Sequence, residues 1–153
     1  MLDSIDRRLL AALQDDSGLS VSELADRVGL SKNPCWRRIR RLEEDGYIRG
    51  RVALLDPRRL NCGLTAFIAV RTDQHNPGWS DAFSKAVADI PEIVGAFRMT
   101  GDTDYLLHAV VPDMQAFDAL YQRLIARIEL SDVSSSFVME EIKQTTALPL
   151  DYA

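Results

Sequence analysis

Seven basic side chains fall between Lys32 and Arg51 against three acidic ones, a local balance of +4 that suits a polyanionic partner. The stretch from Leu30 to Gly46, LSKNPCWRRIRRLEEDG, predicts one helix. Ser31 is a natural N-cap, because its hydroxyl can accept from an unpaired amide of the first turn. Pro34 falls within that turn, where a missing N–H costs little, and Gly46 stands where a left-handed C-cap is expected. At 100° per residue Cys35, Ile39 and Leu42 share one side. Asn33, Arg37 and Arg40 point roughly the opposite way, with Trp36 and Arg41 on the flanks. The chemistry on offer is recognition of bases and phosphates. Arginine pairs bidentately with guanine, asparagine with adenine, and an indole can meet a thymine methyl. Lys32, Asn33, Trp36 and Arg37 are therefore candidates for base readout, while Arg40, Arg41, Arg49 and Arg51 suit phosphates, which position without specifying. Arg38, nearer the apolar edge, is expected to hold Glu43 or another acidic group of the protein. A solvated charged face would look similar on a lone helix, so the neighbours must decide.

A second chemical stretch is Thr100 to Tyr105. Gly101 permits an unusual backbone, exposed loop amides can bind a carboxylate, and Asp102 or Asp104 can hold an ammonium group. A polar hairpin turn is the plainer alternative. Cys35, on the apolar edge of the basic helix, reads as a small buried hydrophobe, and Cys62 has no evident partner. His75 and His108 have no companions at metal-ligand spacing, so no metal and no cofactor are expected.

The elements around these residues follow from periodicity. Ile5, Leu9, Leu10 and Leu13 form one stripe of a helix from Leu2 to Gln14, with Asp3 or Ser4 as N-cap. Ser20 and Glu23 have capping-box spacing, and Val21, Leu24, Ala25 and Val28 mark a short second helix ending at Gly29. Two helices joined by a tight glycine-containing turn form a helix-turn-helix, and the first helix completes a three-helix core. Tyr47 to Leu55 is extended in character, a small wing or linker strand, and Asp56-Pro57 stops it. Beyond it, strands are expected over Leu64–Arg71, Ile93–Met99, Tyr105–Val111 and Val133–Met139. Helices are expected over Trp79–Ile90 and Met114–Ile128, with Trp79, Phe83, Val87 and Ile90 inward in one and Phe117, Tyr121, Leu124 and Ile128 in the other. This βαββαβ order implies a ferredoxin-like sandwich. The fold class is α+β: a winged helix-turn-helix over residues 1–52, a linker strand over 53–63, and the sandwich over 64–153. Strands such as LTAFIAV do not alternate cleanly, so the sheet face away from the helices stays apolar and is expected to join two chains.

The totals agree. Apolar residues at 46% and charged residues at 27% of 153 are those of a globular protein with a real core. No apolar run reaches the ~18 residues of a membrane span, and Met1-Leu2-Asp3-Ser4 lacks signal-peptide character. With two unpaired cysteines, a reducing cytoplasm is expected. The net charge of −5 divides into +2 over residues 1–59 and −7 over 60–153, a basic module joined to an acidic one.

This arrangement resembles the Lrp/AsnC (leucine-responsive, or feast/famine) family of regulators along essentially the whole chain. The motifs that carry the likeness are IDRRLLAALQDD, LSVSELADRVGLS, CWRRIRRLEEDGYIRG, LLDPRRL, TGDTDYLL and SSSFVMEEIKQTTALPL. PCWRRI together with LSDVSSSF and TTALPL is similar to a branch that includes cysteine-responsive detoxification regulators. The resemblance implies a transcription factor that binds double-stranded DNA through a pair of reading heads. It implies a C-terminal domain of the RAM type that forms dimers and often octamers, and a small amino acid, cysteine or another, held between subunits. On that resemblance the effector residues are Thr100, Gly101, Asp104 and Tyr105, with Ser134, Ser135 and Ser136 from the last strand. Some proteins that resemble this family are sirohaem decarboxylases, but the intact basic recognition helix and the sparse histidines argue against an enzyme here. A DNA-packaging protein of low specificity is the other alternative.

Overall fold

The computed structural model describes residues 2–153; Met1, the first residue of the expected helix-turn-helix domain and of the Met1-Leu2-Asp3-Ser4 start, lies outside them. The chain divides into two compact units, one of residues 2–54 with 142–153 and the other of residues 55–141.

The first unit holds three helices, α1 (Ser4–Asp15), α2 (Val21–Val28) and α3 (Lys32–Glu44). Two start with reciprocal caps. Asp3 and Asp6 exchange side-chain and backbone hydrogen bonds at α1, and Ser20 and Glu23 do the same at α2. Each box satisfies two of the amides that a helix start leaves unpaired. Ser31 does occupy the N-cap of α3, but its side chain makes no capping hydrogen bond, contrary to its expected role. Its carbonyl accepts from Cys35 N at 3.2 Å instead. Gly46 follows α3 at φ +78, which only glycine adopts without strain, and Ile48 N then donates to Leu42 O at 3.1 Å. Leu9, Leu10, Leu24, Val28, Ile39 and Leu42 form the core.

Two expectations, for residues 53–63 and for the C-terminal segment, are not met. The described residues contain no strand before Leu64, so the 53–63 segment is not a ladder strand, and 57–61 form a turn. Extended backbone becomes a strand only where a neighbour accepts its hydrogen bonds, and within one chain this segment has none. The C-terminal segment, expected to belong to the sandwich, packs in the helical unit. Gln14 donates to Leu148 O (3.0 Å) and accepts from Leu148 N (2.6 Å), Arg7 donates to Ala153 O, and Leu150 joins the helical core.

The second unit is the expected sandwich. Its strands β1 (Leu64–Arg71), β2 (Ile93–Arg98), β3 (Tyr105–Val111) and β4 (Asp132–Phe137) lie in the order β2-β3-β1-β4, and all three pairings are antiparallel. The helices α4 (Pro77–Ala88) and α5 (Met114–Ile125) complete the βαββαβ order. Asn76 caps α4 with Pro77 at its first turn, and Asp113 caps α5. Ala66, Ile68, Val70, Leu107, Ala109 and Val111 point from the sheet into a core with Trp79, Phe83, Leu120 and Leu124. α5 stops three residues short of the expected Ile128, which is buried all the same. The period of 2 sends Phe67, Leu106, His108 and Val110 to the other face. Phe67 stacks on His108 with ring centroids 4.9 Å apart, and Phe67 and Phe97 remain exposed.

Candidate nucleic-acid interface

The reading surface begins with the burial of Cys35, Ile39 and Leu42, which fixes the rotation of α3 about its axis. Lys32, Asn33, Trp36, Arg37 and Arg40 are thereby left exposed. Among the described residues neither Lys32 nor Arg37 has a carboxylate within ion-pair distance. The Arg40 guanidinium lies 5.9 Å from the centre of the Trp36 ring and 3.5 Å from Glu44, both contacts of an open surface. Arg49 is exposed, and Arg51 pairs with Glu43 at 3.0 Å.

Arg38 and Arg41 are placed differently. Arg38 was expected to hold an acidic group, and its Nη1 reaches Asp6 Oδ1 at 2.8 Å and Asp3 Oδ2 at 2.5 Å; Glu43 is taken by Arg51. Arg41, assigned to phosphates from the sequence, donates to Asp6 Oδ2 at 2.5 Å. The Asp3 carboxyl is held below its usual range, chiefly by the Asp6 amide and then by Arg38. Asp3 and Asp6 in turn raise Arg38 above the ordinary arginine value. Asp6 is 1% exposed and was not singled out from the sequence. Its spacing from Asp3 was the available signal, since a capping box needs an acceptor three residues after the cap. Pro34, Arg37, Arg38 and Arg41 line an open depression of about 360 Å³ beside α3. Cys35 is buried, and burial pushes its thiol up from the ordinary value, as for an inert core residue.

The loop after β2 has its own geometry. Gly101 sits at φ +96, and Met99 N donates to Asp104 O at 2.8 Å, closing the turn. Asp104 N donates to Val70 O at 3.0 Å, while its carboxylate accepts from Thr72 N at 2.9 Å. One Asp104 oxygen therefore fastens the loop to the end of β1. The Tyr105 ring turns inward, 4.5 Å from Phe83 and 5.6 Å from Trp79. Ser134 and Ser136 lie opposite Ala69 and Phe67 on the exposed sheet face, while Ser135 lies opposite Ile68 on the helix-covered one. The seven expected effector residues are thus split. Thr100 and Gly101 are exposed, Tyr105 belongs to the core, and the serines alternate. Among the described residues no three His, Cys, Asp or Glu side chains are grouped to hold a metal ion.

Comparison with known proteins decides what carries this surface. Residues 2–49 match the winged helix-turn-helix DNA-binding model and residues 65–148 the Lrp/AsnC ligand-binding domain. The chain belongs to the Lrp/AsnC family. It is 49% identical to the DNA-binding transcriptional activator DecR of Escherichia coli K12, over 99% of this chain and 100% of that protein. A crystal structure of an AsnC family transcriptional regulator from Agrobacterium tumefaciens superposes with a TM-score of 0.96 at 56% identity, covering 99% of both chains. A Neisseria meningitidis transcriptional regulator solved with L-methionine superposes at 0.95 and 41% identity, again over 99% of both. The chain is accordingly a DNA-binding transcriptional regulator with an Lrp/AsnC ligand-binding domain, and the α+β fold read from the sequence is that of the family. No helix among the described residues is long and apolar enough to cross a membrane.

Proposed function

We propose that this regulator reads a near-palindromic operator as a pair of chains and changes its grip when a small amino acid binds. The observation that carries the reading is the N-terminal half of α3, where Lys32 and Arg37 stand exposed beside Asn33 and Trp36 with no acidic partner among the described residues. In a helix-turn-helix that half reaches base edges. Lys32, Asn33, Trp36 and Arg37 read bases, Arg40 and Arg51 grip phosphates after exchanging weak surface pairs, and Arg49 grips them directly. Pairing uses the exposed sheet face bearing Phe67, Phe97 and Leu106, since an apolar sheet face is stable in water only when covered. Pairs then assemble into octamers.

The effector is a small L-amino acid, with cysteine the first candidate. Its carboxylate would meet the amides around Gly101 and its ammonium the remaining acceptor positions of Asp104. Ser134 lies at the same end of the sheet, one register position from Val70, to which Asp104 is bonded. Ser136 lies further along that face, and Ser135 and Tyr105 would shape the site from behind. The protein works in the cytoplasm with its DNA and has no catalytic role.

Selection from a random duplex library, repeated with each amino acid present, tests both halves. A two-fold symmetric motif should emerge, and one amino acid should shift its occupancy. Recovery of unselected sequence alone would favour low-specificity DNA packaging, and a symmetric motif indifferent to every amino acid would remove the effector.

A further inference from the structure

The pairing of Arg38 and Arg41 bears on specificity. A regulator with too many free cations on its reading helix binds every duplex through phosphates, because that contribution is independent of sequence. α3 carries five cations, Lys32, Arg37, Arg38, Arg40 and Arg41, and they are not equally available. Among the described residues the one carboxylate paired with Arg40 is Glu44, with both side chains more than half exposed, so a phosphate can replace it readily. Arg38 and Arg41 share Asp6, whose carboxylate is 1% exposed. Asp6 Oδ1 accepts from Arg38, and Oδ2 accepts from Arg41 and from Asp3 N at 3.2 Å. Removing either guanidinium would leave a buried charge short of a partner, which is unfavourable in a low-dielectric setting. With Asp3 added on Arg38, this group of two arginines and two aspartates is neutral.

We propose that Asp6 is a specificity-determining residue: as a buried counter-anion it withholds Arg38 and Arg41 from DNA phosphates. Sequence-independent affinity stays low, and discrimination falls to Lys32, Asn33, Trp36 and Arg37. Asp6 touches no base and acts only through the two arginines it holds. This rests on the DNA-reading assignment of α3, and the experiment separates the two.

The test is binding of the full-length chain to a random-sequence duplex and to the duplex it selects, titrated against KCl. The logarithm of affinity falls with the logarithm of salt in proportion to the phosphates neutralised, so the slope counts engaged cations. Arg41→Gln should leave the random-duplex slope unchanged, whereas Arg40→Gln, at a phosphate contact, should lower it by about 1. Asp6→Asn should bind random duplex more tightly, with a slope steeper by about 1 to 2, and should lose several-fold in preference for the selected duplex. A merely structural Asp6 would weaken both duplexes alike without steepening the slope, which would overturn the proposal. A fall of about 1 for Arg41→Gln would overturn it too, since the depression lined by Arg37, Arg38 and Arg41 would then be a phosphate seat. Arg41 is half exposed, so this variant keeps the test open even if Asp6→Asn fails to fold. Failure of the unaltered chain to bind either duplex would overturn the reading of α3 itself, and this proposal with it.

Discussion

The two units solve the same burial problem and leave opposite things outside. The helical unit closes a core rich in leucine and leaves a rim of charge, part of it bound internally by Asp6 and part, at Lys32 and Arg37, without an acidic partner among the described residues. The sandwich covers one sheet face with two helices and leaves the other with Phe67 and Phe97 exposed. A free cation stays hydrated until a phosphate arrives, so the first surface suits a salt-sensitive, exchangeable partner. An exposed apolar sheet face has no such rest state and suits a lasting partner. The helical unit leaves cations outside, and the sandwich leaves an apolar sheet face.

The largest effect that would sharpen this contrast is expected in the cores. Leu107→Ala in the sandwich and Leu42→Ala in the helical unit each remove a fully buried side chain and should cost about 2–5 kcal/mol. Urea unfolding followed through Trp79, buried in the sandwich, should register the first substitution, and DNA affinity should register the second. Next comes Phe67→Asp, which places a charge on the exposed sheet face. By two-fold symmetry the change occurs twice per interface, so pairing should weaken by on the order of a hundredfold or more. Light scattering after gel filtration should show single chains; an unchanged mass would break the assignment of that face to pairing.

Arg37→Ala should weaken operator binding by roughly 1–3 kcal/mol and relax preference at one base pair, with pairing unaffected. Gly101→Ala should cost about 1–2 kcal/mol, because φ +96 disfavours an L side chain. Thermal unfolding should report that loss, and the amino-acid response should diminish with it.

The smallest effect is the response to acid. Glu23 is held below its usual range by Ser20, and Glu92 by the Arg123 guanidinium, as Asp3 is by the Asp6 amide and Arg38. A carboxyl depressed in the folded state stabilises above its unfolded value and loses that contribution as pH falls through the folded one. Melting temperature should therefore be level near neutrality and decline below about pH 4. A maximum on the acid side would contradict these pairings.

Much of the fold was legible because its signals are local. Ser20 with Glu23, Gly29 and Gly46 marked helix ends by side-chain size and reach alone, and Leu24, Ala25 and Val28 marked the buried face of α2 by helical spacing. Features that depend on distant partners were not legible. Asp6 looks like any first-turn acid until α3 delivers two arginines to it across more than thirty residues of sequence. The return of residues 142–153 rests on Gln14 meeting backbone at Leu148, and backbone carries no sequence signature. For the loop from Thr100 to Tyr105 the motif marked Gly101 and Asp104, but not the inward turn of Tyr105 or the fastening of Asp104 to Thr72.

The most direct test of the central claim, that a pair of chains reads DNA through the N-terminal half of α3, is a missing-contact footprint on the selected duplex. The account predicts two contacted patches in the major groove on one side of the duplex, roughly 34–36 Å apart. Phe67→Asp should reduce them to weak independent contacts, and Arg37→Ala should erase one base from each. A single uninterrupted patch that survives Phe67→Asp, or two patches unchanged by Arg37→Ala, would contradict it.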